Sequence, residues 1–409
     1  MEVKMEGPLP DPVALSTPYL QLSKDLHLSG PGPKRILALD GGGLRGILTL
    51  GYLEAVEQIL RQRHGNDPGF RLCDYFDLIA GTSTGAIIAA CLALGMSVGE
   101  VLEKYRNLGR NVFSRDWLRD GVIRARYDKE RLETELKTVF GSDTTLGSDL
   151  LRTGLLVMSK RLDTGSPWPM SNNPRGKFYR NTDSTSPWIS NADYPLWKVV
   201  RASSAAPTFF DPEEITIIEQ PGKKPEKGQF VDGGVSPFNN PALQAFLYAT
   251  LKGYHLDWSS GADNLLLVSV GTGLTDPSND ATSIAAAGAL TALKSLMNDC
   301  ATLVETMMQW LSSSPSSRVI DSECGDLNGD VLGGKPMLTY LRYNMALTQD
   351  NAIALCPDLA LKLGDHLNNI SAMDNTETME LMLAMVRKLA PDSVHTSQFQ
   401  PRFDLPHGQ

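Results

Sequence analysis

The sequence predicts an α/β protein built on a parallel β-sheet. Three observations carry that prediction. Short apolar runs alternate with stretches of helical periodicity from residue 34 onward. Four of the runs end in glycine turns: Asp40-Gly41-Gly42-Gly43, Gly81-Thr82-Ser83-Thr84-Gly85, Asp232-Gly233-Gly234 and Gly271-Thr272-Gly273. The 42% hydrophobic content is ample for a buried core. Loops at the carboxyl ends of parallel strands are where such sheets place their sites.

Residues 1–33 are rich in Pro, Ser and Gly and read as an N-terminal arm without a core of its own. Residues 34–40 (KRILALD) are the first predicted strand. A helix follows over 45–63, where Ile47, Leu50, Leu53, Val56 and Leu60 recur at three- and four-residue steps. The run His64-Gly65-Asn66-Asp67-Pro68-Gly69 stops it. Residues 75–80 (YFDLIA) are the second strand, and 86–94 and 98–108 the next helices. Further strands are expected at 154–159 (GLLVMS), 229–232 (QFVD) and 265–270 (LLLVSV), with a long polar loop at 165–190 and a basic turn at 221–228. From 283 to 311, Ile284, Leu290, Leu293, Met297, Val304, Met307 and Leu311 share one helical face. Such a face covers a sheet or, alternatively, serves as a lid or membrane contact. A last helix is expected at 375–389, before a polar tail.

Net charge of −9 argues against a nucleic-acid polymer as partner. Residues 104–131 run against that average, with nine basic and four acidic side chains interleaved with Phe113, Trp117 and Tyr127. They read as a solvated face or, alternatively, as a contact for phospholipid headgroups. Five scattered cysteines form no CxxC pair, so neither a disulfide scaffold nor a zinc site is expected. The first residues lack the basic and apolar regions of a signal peptide, and a cytoplasmic location with peripheral membrane contact is the expectation. The uncharged run 78–96 is interrupted by Gly81–Gly85 residues and reads as strand, turn and helix rather than as a membrane span.

Gly81-x-Ser83-x-Gly85 has the form of a nucleophile elbow, in which glycines flank a serine on a sharp strand-to-helix turn. The Ser83 N–H would lie at a helix N-terminus, where partial positive charge favours an oxyanion. The alternative is a Ser/Thr-rich helix cap. Gly41, Gly42 and Gly43 offer unhindered N–H groups, and Arg45 adds a charge. Gly41-x-Gly43-x-x-Gly46 also fits the dinucleotide-binding fingerprint. That fingerprint wants an acidic residue about 20 positions on; here stand Arg61-Gln62-Arg63-His64. A nucleophilic serine needs a base. None of the six histidines falls in a strand-end turn, and His255 sits in an ordinary loop pattern. Asp232 ends an apolar strand, and burial would raise its pKa toward that of a useful base; its alternative reading is a turn cap.

Together, DGGGLRG at 40–46, GTSTG at 81–85, ASSAAPTFF at 202–210 and DGG at 232–234 resemble the patatin-like phospholipases in order and spacing. The resemblance covers residues 34–275 and implies a three-layer α/β/α fold with helices on both faces of the sheet. It implies a Ser–Asp dyad, with Ser83 as nucleophile and Asp232 as general base. Gly41, Gly42, Gly43 and Arg45 would form the oxyanion hole, and 202–207 would pack beside the site. The implied activity is hydrolysis of fatty-acyl esters of a phospholipid or lysophospholipid at a membrane surface, without metal or cofactor. The expected organisation is an arm at 1–33, a catalytic domain at 34–275, a mainly helical C-terminal region at 276–389 packed on it, and a loose tail at 390–409. Residues 337–347 are similar to an extension of bacterial members, some of which are anti-phage effectors activated by cyclic nucleotides. A cyclic-nucleotide activator is therefore an alternative expectation. A catalytically silent lipid-binding protein is another, and a homo-oligomer stays open.

Overall fold

The structure, a computed structural model, describes residues 19–112, 123–183, 186–207, 209–274 and 285–406, with main chain alone at 123–129 and 285–294. The strands are β1 (Lys34–Leu39), β2 (Leu78–Thr82), β3 (Gly154–Arg161), β4 (Pro167–Ser171), β5 (Glu213–Ile218), β6 (Glu226–Asp232), β7 (Leu265–Val270) and β8 (Thr339–Tyr343). The first six helices are α1 (Lys24–Ser29), α2 (Gly46–Arg63), α3 (Leu72–Tyr75), α4 (Thr84–Ala93), α5 (Val98–Val112) and α6 (Ile123–Phe140). The others are α7 (Leu196–Ser203), α8 (Ala242–Thr250), α9 (Ala285–Trp310), α10 (Gln349–Leu355), α11 (Pro357–Leu363) and α12 (Met379–Ser393).

One sheet runs β5-β6-β3-β2-β1-β7-β8, with β4 also paired to β3. Strands β3, β2, β1, β7 and β8 are parallel to their neighbours in that order. The central strands are buried on both faces, as parallel strands sandwiched between helices must be. Alternate residues therefore feed two separate cores. Leu37, Leu39, Ile79 and Val268 join α2, α4 and α12 on one side. Ile36, Ala38, Leu78 and Leu267 join α8 and the C-terminal half of α9 on the other. The result is the three-layer α/β/α arrangement.

Several sequence expectations change. β6 is antiparallel to β3 rather than part of the parallel set. β4 falls inside the expected polar loop, where its prolines are tolerated because it is an edge strand. β8 lies in the region expected to be mainly helical and extends the sheet beyond residue 275. The tail is packed, not loose, through Leu405. Phe399, Phe403 and Leu405 are buried in the main core, and Asp404 accepts two hydrogen bonds from Arg63 Nη2 at 2.6 and 2.8 Å. The last part of the arm is also anchored: Tyr19 is buried and donates to Asp74 Oδ2 at 2.8 Å. In the basic stretch 104–131, residues 113–122 and the side chains of 123–129, with Phe113, Trp117 and Tyr127, lie outside the described set, as does Ile284.

Candidate active site

Strand register brings Ser83 and Asp232 together. A strand has two edges. β4 occupies one edge of β3 across residues 156–160. β2 and β6 must therefore share the other, β2 along 154–158 and β6 along 159–161. Thr82, the last residue of β2, pairs with Met158, and Asp232, the last residue of β6, pairs with Ser159. The antiparallel strand thus ends where β2 turns into α4, and Ser83 is that turn.

Ser83 has φ 56° and ψ −124°, a region L-residues avoid. Holding it there costs on the order of 1–3 kcal/mol, which the packing around it must offset. The flanking glycines make that packing close. A Cβ on Gly81 would strike the Gly85 carbonyl, and one on Gly85 the carbonyls of Leu39 and Asp40. The turn lifts the Ser83 hydroxyl to Asp232, with Oγ donating to Oδ2 at 2.6 Å. The other carboxylate oxygen, Oδ1, accepts from the Gly234 N–H at 2.7 Å, which fixes the rotamer. Both residues are buried. Burial raises the Asp232 pKa from 3.8 to about 6, against the opposing pull of the Ser83 and Gly234 hydrogen bonds and Arg201. The carboxylate is thereby a stronger base than a free aspartate while still ionised at neutral pH.

The glycine loop is arranged by what holds its carbonyls. Gly41 O accepts from Thr272 Oγ1 at 2.8 Å and from Asn239 Nδ2 at 3.4 Å. Gly42 O accepts from Arg45 Nε at 3.4 Å, and Gly43 O from the Tyr105 hydroxyl at 2.5 Å. In a trans peptide the C=O and the following N–H point opposite ways. The N–H groups of Gly42 and Gly43 therefore point away from the partners of the Gly41 and Gly42 carbonyls, and both residues line one cavity with Ser83 and Asp232. Neither N–H donates elsewhere among the described residues. Thr84, first residue of α4, adds a third N–H without an intrahelical acceptor.

Of the residues expected at an oxyanion hole, Gly42 and Gly43 line the cavity, whereas Gly41 and Arg45 are engaged elsewhere. Gly41 packs against Ser83, but its N–H donates to Asn239 O at 3.1 Å and is already engaged. Arg45 is buried, does not line the cavity, and reaches the loop only through Gly42 O; burial lowers its pKa to about 10. The Ser83 N–H is engaged as well, donating to Ser203 Oγ at 2.9 Å, while Ser203 Oγ donates to Met158 O. Sequence reasoning missed Asn239, Thr272 and Tyr105 as loop supports. The glycine turn after β7 marked the position of Thr272 but not its target.

The cavity that Ser83 and Asp232 line is walled mainly by apolar groups: Ile87, Leu108, Leu132, Phe209, Phe210 and Met297. No described histidine lines it. The arrangement can activate a serine, stabilise an oxyanion and hold a hydrocarbon chain. Among the described residues, no helix is long and apolar enough to cross a membrane.

The patatin-like phospholipase family model matches residues 37–246, half of the chain. Over 242 residues the chain is 28% identical to a cGAMP-activated phospholipase of Escherichia coli (strain TW11681), covering 58% of this chain and 62% of that protein. It is 31% identical over 256 residues to the probable inactive patatin-like protein 9 of Arabidopsis thaliana, covering 60% and 62%. It is 26% identical over 376 residues to Patatin-16 of Solanum tuberosum, covering 87% and 89%. The matched region thus spans less than two thirds of the first two relatives, whereas the likeness to the potato protein runs through the C-terminal region.

Proposed function

The chain belongs to the patatin-like phospholipase family, and from that premise we propose that it is a serine hydrolase cleaving fatty-acyl esters of phospholipids or lysophospholipids. The observation that carries the proposal is the buried Ser83–Asp232 hydrogen bond of 2.6 Å in the wall of an apolar cavity.

In the proposed reaction, Asp232 Oδ2 takes the Ser83 hydroxyl proton as Oγ attacks the ester carbonyl carbon. The N–H groups of Gly42, Gly43 and Thr84 stabilise the tetrahedral oxyanion. The carbon–oxygen bond to the alcohol then breaks, and the alcohol leaves with the proton held by Asp232. Water then attacks the acyl-serine carbonyl carbon, giving a proton to the same carboxylate; the bond to Oγ breaks, Asp232 returns the proton to Oγ, and the fatty acid leaves. The acyl chain lies between Ile87, Leu108 and Leu132. The catalytic unit runs from residue 34 past 275, since β8 completes the sheet.

Access from a lipid surface is supported by α9. Its Leu296, Leu303 and Trp310 recur at seven-residue steps on one outer stripe, 58%, 59% and 36% exposed, while neighbouring Met297 lines the cavity. The name of the Escherichia coli relative supports a second reading, in which a cyclic dinucleotide switches hydrolysis on.

The test is fatty-acid release from phosphatidylcholine and lysophosphatidylcholine vesicles, with and without cGAMP. Release that Ser83→Ala and Asp232→Asn both abolish is the expected result. Release that survives either substitution would overturn the dyad. Silence of the unaltered protein in every condition would favour a lipid-binding role.

A further inference from the structure

We infer that Arg342, on β8, is a positioning residue for the proposed ester hydrolysis, acting through Asp40 on the glycine loop that supplies the oxyanion donors. The inference rests on the hydrolase reading above and gives a role to a residue almost a hundred positions beyond the family match.

Register places it. Arg342 pairs with Ser269 on β7, and Ser269 pairs with Ala38 on β1. The guanidinium therefore sits two strands from β1 and two residues short of Asp40, a gap its long side chain spans across β7. Nη1 donates to Asp40 Oδ1 at 2.9 Å and Nη2 to Asp40 Oδ2 at 2.6 Å. Nη1 also donates to Ser269 Oγ at 2.7 Å. Glu305 of α9 lies 3.7 Å from Arg342 Nε and is itself held by Arg318 Nε at 2.6 Å. Arg342, Asp40 and Glu305 are all buried. Burial works against the charge on Arg342, and the Asp40 carboxylate overrides it, holding the guanidinium well above its ordinary range.

The loop needs such an external hold. Gly41, Gly42 and Gly43 have no side chains, and glycine loses more conformational freedom on ordering than any other residue. Oxyanion donors act only if aimed before the reaction begins. Asp40 is the last residue before them with a side chain to grip. A bidentate arginine fixes both position and plane of that carboxylate, which a lysine cannot do. Downstream, the Leu44 N–H donates to Met373 O at 2.7 Å. The loop is thus suspended between two fixed points, both supplied or held by residues beyond 275.

The experiment compares the unaltered protein with Arg342→Lys and with the double variant Arg342→Met, Asp40→Asn, which removes both charges together. It measures kcat and KM on a soluble short-chain p-nitrophenyl ester, affinity for an acyl trifluoromethyl ketone that forms a tetrahedral adduct, and the pH midpoint of kcat. In a folded double variant, kcat should fall about tenfold to a hundredfold, KM should stay within about twofold, and ketone affinity should fall in step with kcat. The pH midpoint should not move, and Arg342→Lys should fall between. Should the double variant fail to fold, Arg342→Lys carries the test with the same split. A folded variant with kcat close to the unaltered value, or a loss that shifts the pH midpoint and KM instead, would overturn the inference. An unaltered protein without hydrolysis both with and without cGAMP would overturn the hydrolase reading, and the inference with it.

Discussion

The two turns that flank the cavity reach their shapes by opposite routes. The elbow at Ser83 is closed by main chain: Gly81 and Gly85 let the backbone of the turn and that of β1 meet, where a Cβ would strike carbonyl groups. The loop at Gly41–Gly43 residues is held from outside, by Asn239, Thr272, Tyr105 and, through Asp40, Arg342. A locally held turn fails by steric conflict and takes folding with it. A remotely held loop can lose one support and remain folded while its donors lose their aim.

That contrast can be broken at graded points. The largest effect belongs to the chemistry itself: Ser83→Ala should lower kcat by about 10⁴-fold or more, since nothing else in the proposed reaction replaces the nucleophile. Gly85→Ala comes next, and the expected loss is in stability. The new methyl meets the carbonyls of Leu39 and Asp40, and urea unfolding should show destabilisation of about 3 kcal/mol or more. A Gly85→Ala protein of near-native stability would remove the distinction between the two turns.

Asp232→Asn sharpens the comparison from the side of charge. The folded-state pKa of about 6 lies above the ordinary 3.8, so the stability linked to this group is full below 3.8 and lost as pH rises through about 6. Above that, the buried carboxylate costs on the order of 3 kcal/mol. The amide should therefore unfold at a higher temperature than the unaltered protein in mildly alkaline buffer, and the gap should close as pH falls toward 3.8, while activity is lost throughout. A gap independent of pH would mean that Asp232 is not the titrating group.

Thr272→Val keeps the shape of the side chain and removes the hydrogen bond to Gly41 O. About 1 kcal/mol of stability should go with it, against a kcat loss of about tenfold on a soluble ester. Loss in stability without loss in kcat would show that the loop needs no outside support there. Smallest is Leu303→Glu on the exposed stripe of α9. It should slow hydrolysis of vesicles about several-fold and leave the soluble ester untouched; equal effects on both substrates would remove the stripe from substrate access.

The same contrast explains what was legible in the sequence. Gly81-x-Ser83-x-Gly85 carries its own geometry in five consecutive residues, so the elbow could be read directly. Asp232 could be singled out because it ends an apolar strand, although its strand runs antiparallel and reaches Ser83 only because β6 follows β2 along one edge of β3. The glycine loop could be located but not oriented. Its N–H directions depend on partners at 239, 272 and 105, and no local pattern shows that the Gly41 N–H is already engaged or that Arg45 turns away from the cavity. β8 and the docked tail escaped for a related reason. Their partners, β7 and the main core, are distant in the chain, and their short apolar patterns sit in a region that otherwise reads as helix and polar loop.

The most direct test of the account is the pH dependence of covalent labelling by a fluorophosphonate, with the modified residue located by mass spectrometry. One label per chain on Ser83 is expected, with a rate that rises with pH through a midpoint near 6 and loses that rise in Asp232→Asn. Labelling at another residue, or a Ser83 rate with the same pH profile in the presence and absence of the Asp232 carboxylate, would contradict it.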